Sequence, residues 1–267
     1  MARISNFCPQ PRVRFFDIEC SKHGQVSSSE TEQFDGSMLA RGCKNCHWEA
    51  LNIASAESEE HIQARNRKKA EELNKLLVGS GITPRFSSCT FGSYRTAGGV
   101  DAMAKALKLC EGYVDQFHDN YEAGRSLILS GNVGNGKTHL ACAIVQAVIR
   151  EHRAKAVIAS AAEIIRVFKG AMDRGVGYTD RDVLDELASF DLLVIDEVGA
   201  QAGTAYELGV LHEVIDRRYQ LVLPTVVVSN LAAADLGRYI GDRALDRLRE
   251  GGGLAVGFSW ASARAAV

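Results

Sequence analysis

The 267-residue chain has no dominant charge, with 31 Lys and Arg against 33 Asp and Glu, a net charge of -2 and a pI of about 6.4. That excludes bulk binding of a polyanion by net charge, so any nucleic-acid contact has to come from a local patch. Long apolar runs are also missing. The opening MARISNFCPQPRVRFF holds no stretch suited to a signal peptide, and LVLPTVVV at 221–228 is too short to span a bilayer. The sequence has no internal repeat and no low-complexity tract. Cysteine is not scarce, at seven, but seven in a chain this long do not describe a secreted disulfide scaffold. They suit a reducing compartment with buried or metal-bound thiols. The expectation is a soluble cytoplasmic protein with no membrane partner.

Three stretches differ in character. Residues 1–55 hold Cys8, Cys20, Cys43 and Cys46 among few apolar residues, and Ser27–Ser29 followed by Glu30 reads as a loop. So small a core needs a staple. Cys20-Ser-Lys-His23 and Cys43-Lys-Asn-Cys46 supply two ligand pairs separated by 19 residues. Each pair fits a tight knuckle, and four N/S donors suit a tetrahedral structural Zn2+ with no open position. Cys8 and His47 are alternatives for one ligand, and free thiols in a loop-rich arm are the plainer reading. Cys89, Cys110 and Cys142 lie in apolar surroundings and read as core. Residues 56–80 are rich in helix formers and end at Gly79 and Gly81, which predicts a linker helix. Its basic run, Arg65, Arg67, Lys68 and Lys69, reads first as a solvated face.

From residue 81 to 267, strand and helix patterns alternate. Strands are predicted at Leu127–Ser130, Val157–Ser160, Leu192–Asp196, Thr225–Ser229 and Leu254–Phe258. Helices are predicted at 101–119, 138–150, 162–173, 180–189 and 205–219. Such alternation implies an α/β fold with a parallel sheet covered on both faces.

Gly131-Asn132-Val133-Gly134-Asn135-Gly136-Lys137-Thr138 matches the phosphate-binding loop in full, between a predicted strand and a predicted helix. Glycines let backbone N–H groups turn around phosphate oxygens without a clashing Cβ. Lys137 offers a positive charge to the β and γ phosphates, Thr138 offers a hydroxyl to Mg2+, and the helix N-terminus favours the anion. About sixty residues on, Leu192-Leu-Val-Ile-Asp196-Glu197 ends an apolar strand in two carboxylates. Asp196 is expected to hold Mg2+ through water, and Glu197 to polarise the attacking water, which points to ATP hydrolysis. Asn230, after the Thr225–Ser229 strand, reads either as a turn former or as a polar group reaching the γ-phosphate. Arg243 and Arg247 are four apart on one helical face. They read as a salt-bridged surface helix, given Asp242 and Asp246, or as an arginine finger acting on a neighbouring subunit.

GNVGNGKTHLACAI, FDLLVIDEVG, VSN and GDRALDRLREGGGLAVGFSWASAR together resemble the bacterial and phage DnaC-type helicase loaders, over roughly residues 81–267. The run Lys137-Thr138-His139-Leu140-Ala141 is more specific than the loop itself, and it adds His139 to the nucleotide set. The lead-in GITPRFSSCTF with Tyr94-Arg95 follows the same habit. The resemblance implies an AAA+ αβα sandwich with a parallel five-stranded sheet. It also implies Asn230 as the sensor 1 residue, Arg247 or alternatively Arg243 as the arginine finger, and Arg264 as a sensor 2 arginine. Some loaders of this family begin with a zinc module that binds the helicase, so residues 1–55 are assigned to that role. Related initiators and loaders line a central channel for one DNA strand with the helix after the second strand. That implies Arg166, Lys169 and Arg174 as phosphate contacts for single-stranded DNA; Tyr206, after the turn that follows the acidic pair, is a separate candidate for stacking on a base.

The expected function is an ATP-dependent loader that grips a hexameric replicative helicase and places it on single-stranded DNA, self-associating through its ATPase domain. It would act in the cytoplasm, the host's if the chain is phage-encoded. The alternative is an IstB-type transposition helper ATPase that binds DNA and a transposase. A P-loop kinase or small metabolic NTPase is the third class, and it would need a second substrate pocket.

Overall fold

The computed structural model describes residues 7–53, 58–96, 101–173 and 175–260. They form two compact units, Pro9–Gly79 and the chain from Ser80 onward, the latter including Phe7 and Cys8.

In the first unit, β1 (Val13–Cys20), β2 (Gly24–Glu32) and β3 (Met38–Ala40) form an antiparallel sheet in the order β1-β2-β3. Two helices follow, α1 (Lys44–Ile53) and α2 (Glu59–Val78). Ser27–Ser29 is therefore not a loop. The hairpin register pairs Ile18 with Val26 and Phe16 with Ser28, so the backbone is satisfied by the ladder and the serines are carried as strand residues. Ser28 is buried, and its hydroxyl donates to Arg41 O at 2.5 Å. The helix expected over 56–80 is α2. Ser58 caps it by accepting from His61 N, and Glu59 and Glu60 occupy its first turn. Asn74 ties α2 to the sheet, donating to Glu32 O at 2.8 Å and accepting from Phe34 N at 3.0 Å, and Glu71 pairs with Arg41 at 2.9 Å. Its basic run faces solvent.

The second unit has a five-stranded parallel sheet built from β4 (Leu127–Gly131), β5 (Ala156–Ser160), β6 (Leu192–Val198), β7 (Thr225–Ser229) and β8 (Leu254–Phe258). Their order is β5-β6-β7-β4-β8. The helices are α3 (Asp101–Asp115), α4 (Phe117–Glu122), α5 (Lys137–His152), α6 (Ala161–Ala171), α7 (Asp180–Ala188), α8 (Ala205–Gln220), α9 (Gly237–Ile240) and α10 (Asp242–Arg249). The central strands are apolar on both faces, as a sheet covered on both sides requires. The single helix expected over 101–119 breaks at Gln116 and resumes as α4. Asn120 secures the break by donating to Tyr113 O at 2.9 Å.

Arg218 is wholly buried. Its guanidinium donates to Leu187 O, Phe190 O, Pro224 O and Thr225 Oγ1 at 2.7–3.1 Å, which joins the end of α7 to α8 and β7. Among the described residues, no helix is long and apolar enough to cross a membrane.

Candidate functional site

β4 runs into the glycine-rich turn, and α5 begins at Lys137. Two glycines in this turn are sterically required. Gly131 has φ 137, and a Cβ there would stand 2.2 Å from Phe258 O. Gly136 has φ 85, and a Cβ would meet the Tyr94 ring at 2.7 Å. Lys137 is buried, which lowers its pKa, and its ammonium donates to Gly131 O at 2.8 Å and to Asn132 O. A phosphate would offer this cation a stronger, charged acceptor in the same place.

Asp196 and Glu197 are adjacent, so regular strand alternation would send them to opposite faces. The β6–β7 register shifts between Ile195 and Val198, and Glu197 takes the left-handed φ of 56. Bulges of this kind re-aim side chains beside active sites. Both carboxylates line one cavity of ≈ 390 Å3, together with the 133–138 loop, Asn230, Tyr94 and Arg95. Asp196 is buried and accepts from Thr138 Oγ1 at 3.0 Å and from Glu197 N at 2.7 Å. Its burial raises its pKa, against those hydrogen bonds. Glu197 is exposed. An acceptor-only carboxylate beside a hydroxyl suits a hard divalent cation such as Mg2+, and the exposed second carboxylate can face water.

Asn230 is exposed and follows Ser229, whose buried hydroxyl donates to Val198 O at 2.5 Å and accepts from Leu231 N at 3.1 Å. Sequence reasoning missed that anchor, and it noted Tyr94 only within the lead-in, with no role in the site, where its OH donates to Asn135 O at 3.2 Å. His139 also lines the cavity, with Nε2 2.9 Å from Thr90 O and 3.1 Å from Ser93 Oγ. A larger cavity of ≈ 670 Å3, lined by Lys108, Leu109, Tyr113 and Arg125, contains none of these residues. The chemistry singles out the smaller one.

Neither Arg243 nor Arg247 lines the cavity of its own chain. Arg243 is exposed. Arg247 forms an ion pair with Asp216 of α8 and stands 5.1 Å from the Tyr219 ring centroid. Arg264 and Arg174 fall outside the described residues. Arg166 and Lys169 are exposed on α6. Lys169 reaches Glu207 at 3.7 Å and stands 5.8 Å from the ring centroid of Tyr206, which is half-buried against the core.

In the first unit, Cys20, His23, Cys43 and Cys46 converge, with their ligand atoms within 4.8 Å of one another. His23 Nδ1 faces the sulfurs, at 3.3 Å from Cys46 Sγ, 3.6 Å from Cys43 Sγ and 3.7 Å from Cys20 Sγ. Its Nε2 faces Glu49 Oε1 at 2.9 Å. A carboxylate behind a ligating histidine fixes its tautomer and raises its basicity, which is a metal-site arrangement that the ligand spacing does not reveal. Cys8 packs against the core of the other unit, and His47 is not in the group. The donor set fits Zn2+ at a closed site.

The IstB-like ATP binding protein family matches residues 103–248. The chain is similar to the replicative helicase loader DnaC of Buchnera aphidicola subsp. Schizaphis graminum, at 34% identity over 207 residues covering 78% of this chain and 81% of that protein. It is 33% identical to the replicative helicase loader DnaC of Escherichia coli (strain K12) over 208 residues, covering 77% and 80%. In fold, a crystal structure of the DnaC helicase loader aligns with a TM-score of 0.59 at 22% identity, over 66% of this chain and 99% of that one. The AAA+ sandwich expected from the sequence is thus the fold of the second unit.

Proposed function

The chain belongs to the DnaC family of replicative helicase loaders and carries an IstB-like ATP-binding domain. On that footing we propose that it binds and hydrolyses ATP to control the placement of a hexameric replicative helicase on single-stranded DNA. The observation that carries the reading is one cavity lined by the phosphate loop, the Thr138–Asp196 pair, Glu197 and Asn230.

In this reading the loop amides from Gly131 to Gly136 wrap the phosphates, and Lys137 exchanges its carbonyl partners for β and γ oxygens. Thr138 and Asp196 would hold Mg2+, which neutralises phosphate charge when bound. Glu197 accepts a hydrogen bond from the attacking water and aligns it on the γ-phosphorus, and Asn230 assists from β7. Arg247, or Arg243, would complete the site of a neighbouring chain, because neither reaches its own. That role would require self-association through the ATPase domain, for which the hexameric helicase would be a template. Zn2+ held by Cys20, His23, Cys43 and Cys46 would supply folding energy to the Pro9–Gly79 unit, which we assign to the helicase contact. Arg166 and Lys169, with Arg174, are the candidate phosphate contacts for DNA, and Tyr206 the candidate for stacking. The setting is cytoplasmic.

The IstB-like match favours a second reading, a transposition helper that binds DNA and a transposase. Co-purification of the tagged chain with a purified replicative helicase or with an IS21-type transposase, each with MgATP, separates the two. We expect the helicase to be retained and the transposase not. Retention of the transposase alone would reverse the assignment.

A further inference from the structure

Resting on the reading of the cavity as an ATP site, we propose that Trp260 is a positioning residue for nucleotide binding, holding the phosphate loop in its binding shape through Asn135. The end of β8 and this loop are joined in both directions. Asn135 Nδ2 donates to Phe258 O at 3.0 Å and to Trp260 O at 2.6 Å, while Trp260 Nε1 donates back to Asn135 O at 3.2 Å. Asn132 N also donates to Phe258 O, at 3.1 Å. Asn135 is 1% and Trp260 7% exposed, so these bonds are shielded from competing water.

The consequence lies in one peptide group. In a trans peptide the carbonyl and the next amide point in opposite directions. The Asn135 carbonyl accepts from both the Trp260 indole and the Tyr94 hydroxyl. Fixing that oxygen fixes the Gly136 N–H, one of the amides that wrap phosphate. The Trp260 ring lies 4.8 Å from that of Phe258, and the Lys137 ammonium stands 5.8 Å from the Phe258 ring centroid. The same aromatic pair therefore borders the loop cation. A triphosphate bound at the Gly136 N–H would place several negative charges beside the peptide that the indole holds, which changes the electrical surroundings of that ring.

The chain has two tryptophans, Trp48 and Trp260, and Trp48 is 62% exposed in the other unit. The Trp48→Phe full-length chain therefore reports from Trp260 alone. MgATP should shift its emission with the midpoint obtained when MgATP displaces mant-ATP, and Lys137→Ala should abolish the shift. Trp260→Phe keeps an aromatic plate but removes the donor. It should weaken mant-ATP binding about fivefold, the worth of one net hydrogen bond. If MgATP that displaces bound mant-ATP from Trp48→Phe leaves Trp260 emission unchanged, or if Trp260→Phe binds mant-ATP with native affinity, the proposal is overturned. Should Trp260→Phe fail to fold, the emission titration decides alone. No mant-ATP binding by the native chain would refute the ATP-site reading itself, and the proposal with it.

Discussion

Thr138 Oγ1 donates to Asp196 Oδ2 at 3.0 Å, joining the first turn of α5 to the end of β6 across 58 residues of sequence. The contact puts the hydroxyl and the carboxylate expected to share Mg2+ within reach of one ion, while Glu197, displaced by the bulge, keeps its carboxylate exposed. On the proposed reading, binding and hydrolysis are divided between neighbouring residues. Lys137→Ala should abolish ATP binding. Glu197→Gln should retain it and slow turnover by roughly 10²- to 10⁴-fold, the usual worth of a positioned proton acceptor. Single-turnover hydrolysis beside mant-ATP binding separates these effects, and normal turnover in Glu197→Gln would remove the residue from its role.

Burial of Asp196 also has a cost that is measurable without nucleotide. Its pKa is raised in the folded chain, so between the unfolded and folded values the native state keeps a proton that the unfolded state loses. Its contribution to stability therefore falls as pH rises through that window and stays lowered at pH 7. Asp196→Asn keeps an acceptor for Thr138 and removes the charge. Without Mg2+, it should melt above the native chain at pH 7, with the gap closing toward pH 4. Equal or lower melting at pH 7 would contradict the account.

The candidate metal site makes a claim on Glu49. Metal analysis should find one zinc per chain, and Glu49→Ala should lower zinc affinity by roughly 10- to 100-fold while leaving the stoichiometry at saturating zinc. Strong chelation should unfold Pro9–Gly79, read by hydrogen exchange, and spare mant-ATP binding. A chelated chain with native protection in that unit would show that zinc is not its staple.

Arg247 is engaged within its own chain by Asp216 and Tyr219, so action on a neighbour's ATP requires it to leave that pair. Arg247→Ala should slow turnover by roughly 10³-fold, the low end for an arginine finger. Mixing it with Lys137→Ala chains should restore part of the activity, because each chain supplies what the other lacks. Absence of rescue with either Arg247→Ala or Arg243→Ala would count against a finger on α10.

The sequence made the parallel sheet legible because its strands are short apolar runs ended by glycine or polar residues, and the phosphate loop because its chemistry dictates residue type at each step. The β1–β2 hairpin was hidden by Ser27–Ser29, whose strand conformation depends on pairing with Asp17, Phe16 and Phe15 rather than on intrinsic propensity. Glu49 was invisible as a metal-site residue, because nothing in C-x2-C announces the partner of a histidine on another element. The Asn135–Trp260 bonds span 125 residues, and no local pattern encodes them. No local pattern marks Arg218 as a core residue; it is wholly buried because four acceptors meet it, two from residues 187–190 and two from 224–225.

The central claim is that ATP in this cavity governs delivery of a helicase to DNA. The most direct test mixes the chain with a purified hexameric replicative helicase and circular single-stranded DNA, and counts helicase rings on the circle after removal of free protein. The account predicts that rings accumulate with MgATP and the native chain, and fall to the helicase-alone level with Lys137→Ala. Equal loading by the native and Lys137→Ala chains, or none by either when both bind the helicase, would contradict it.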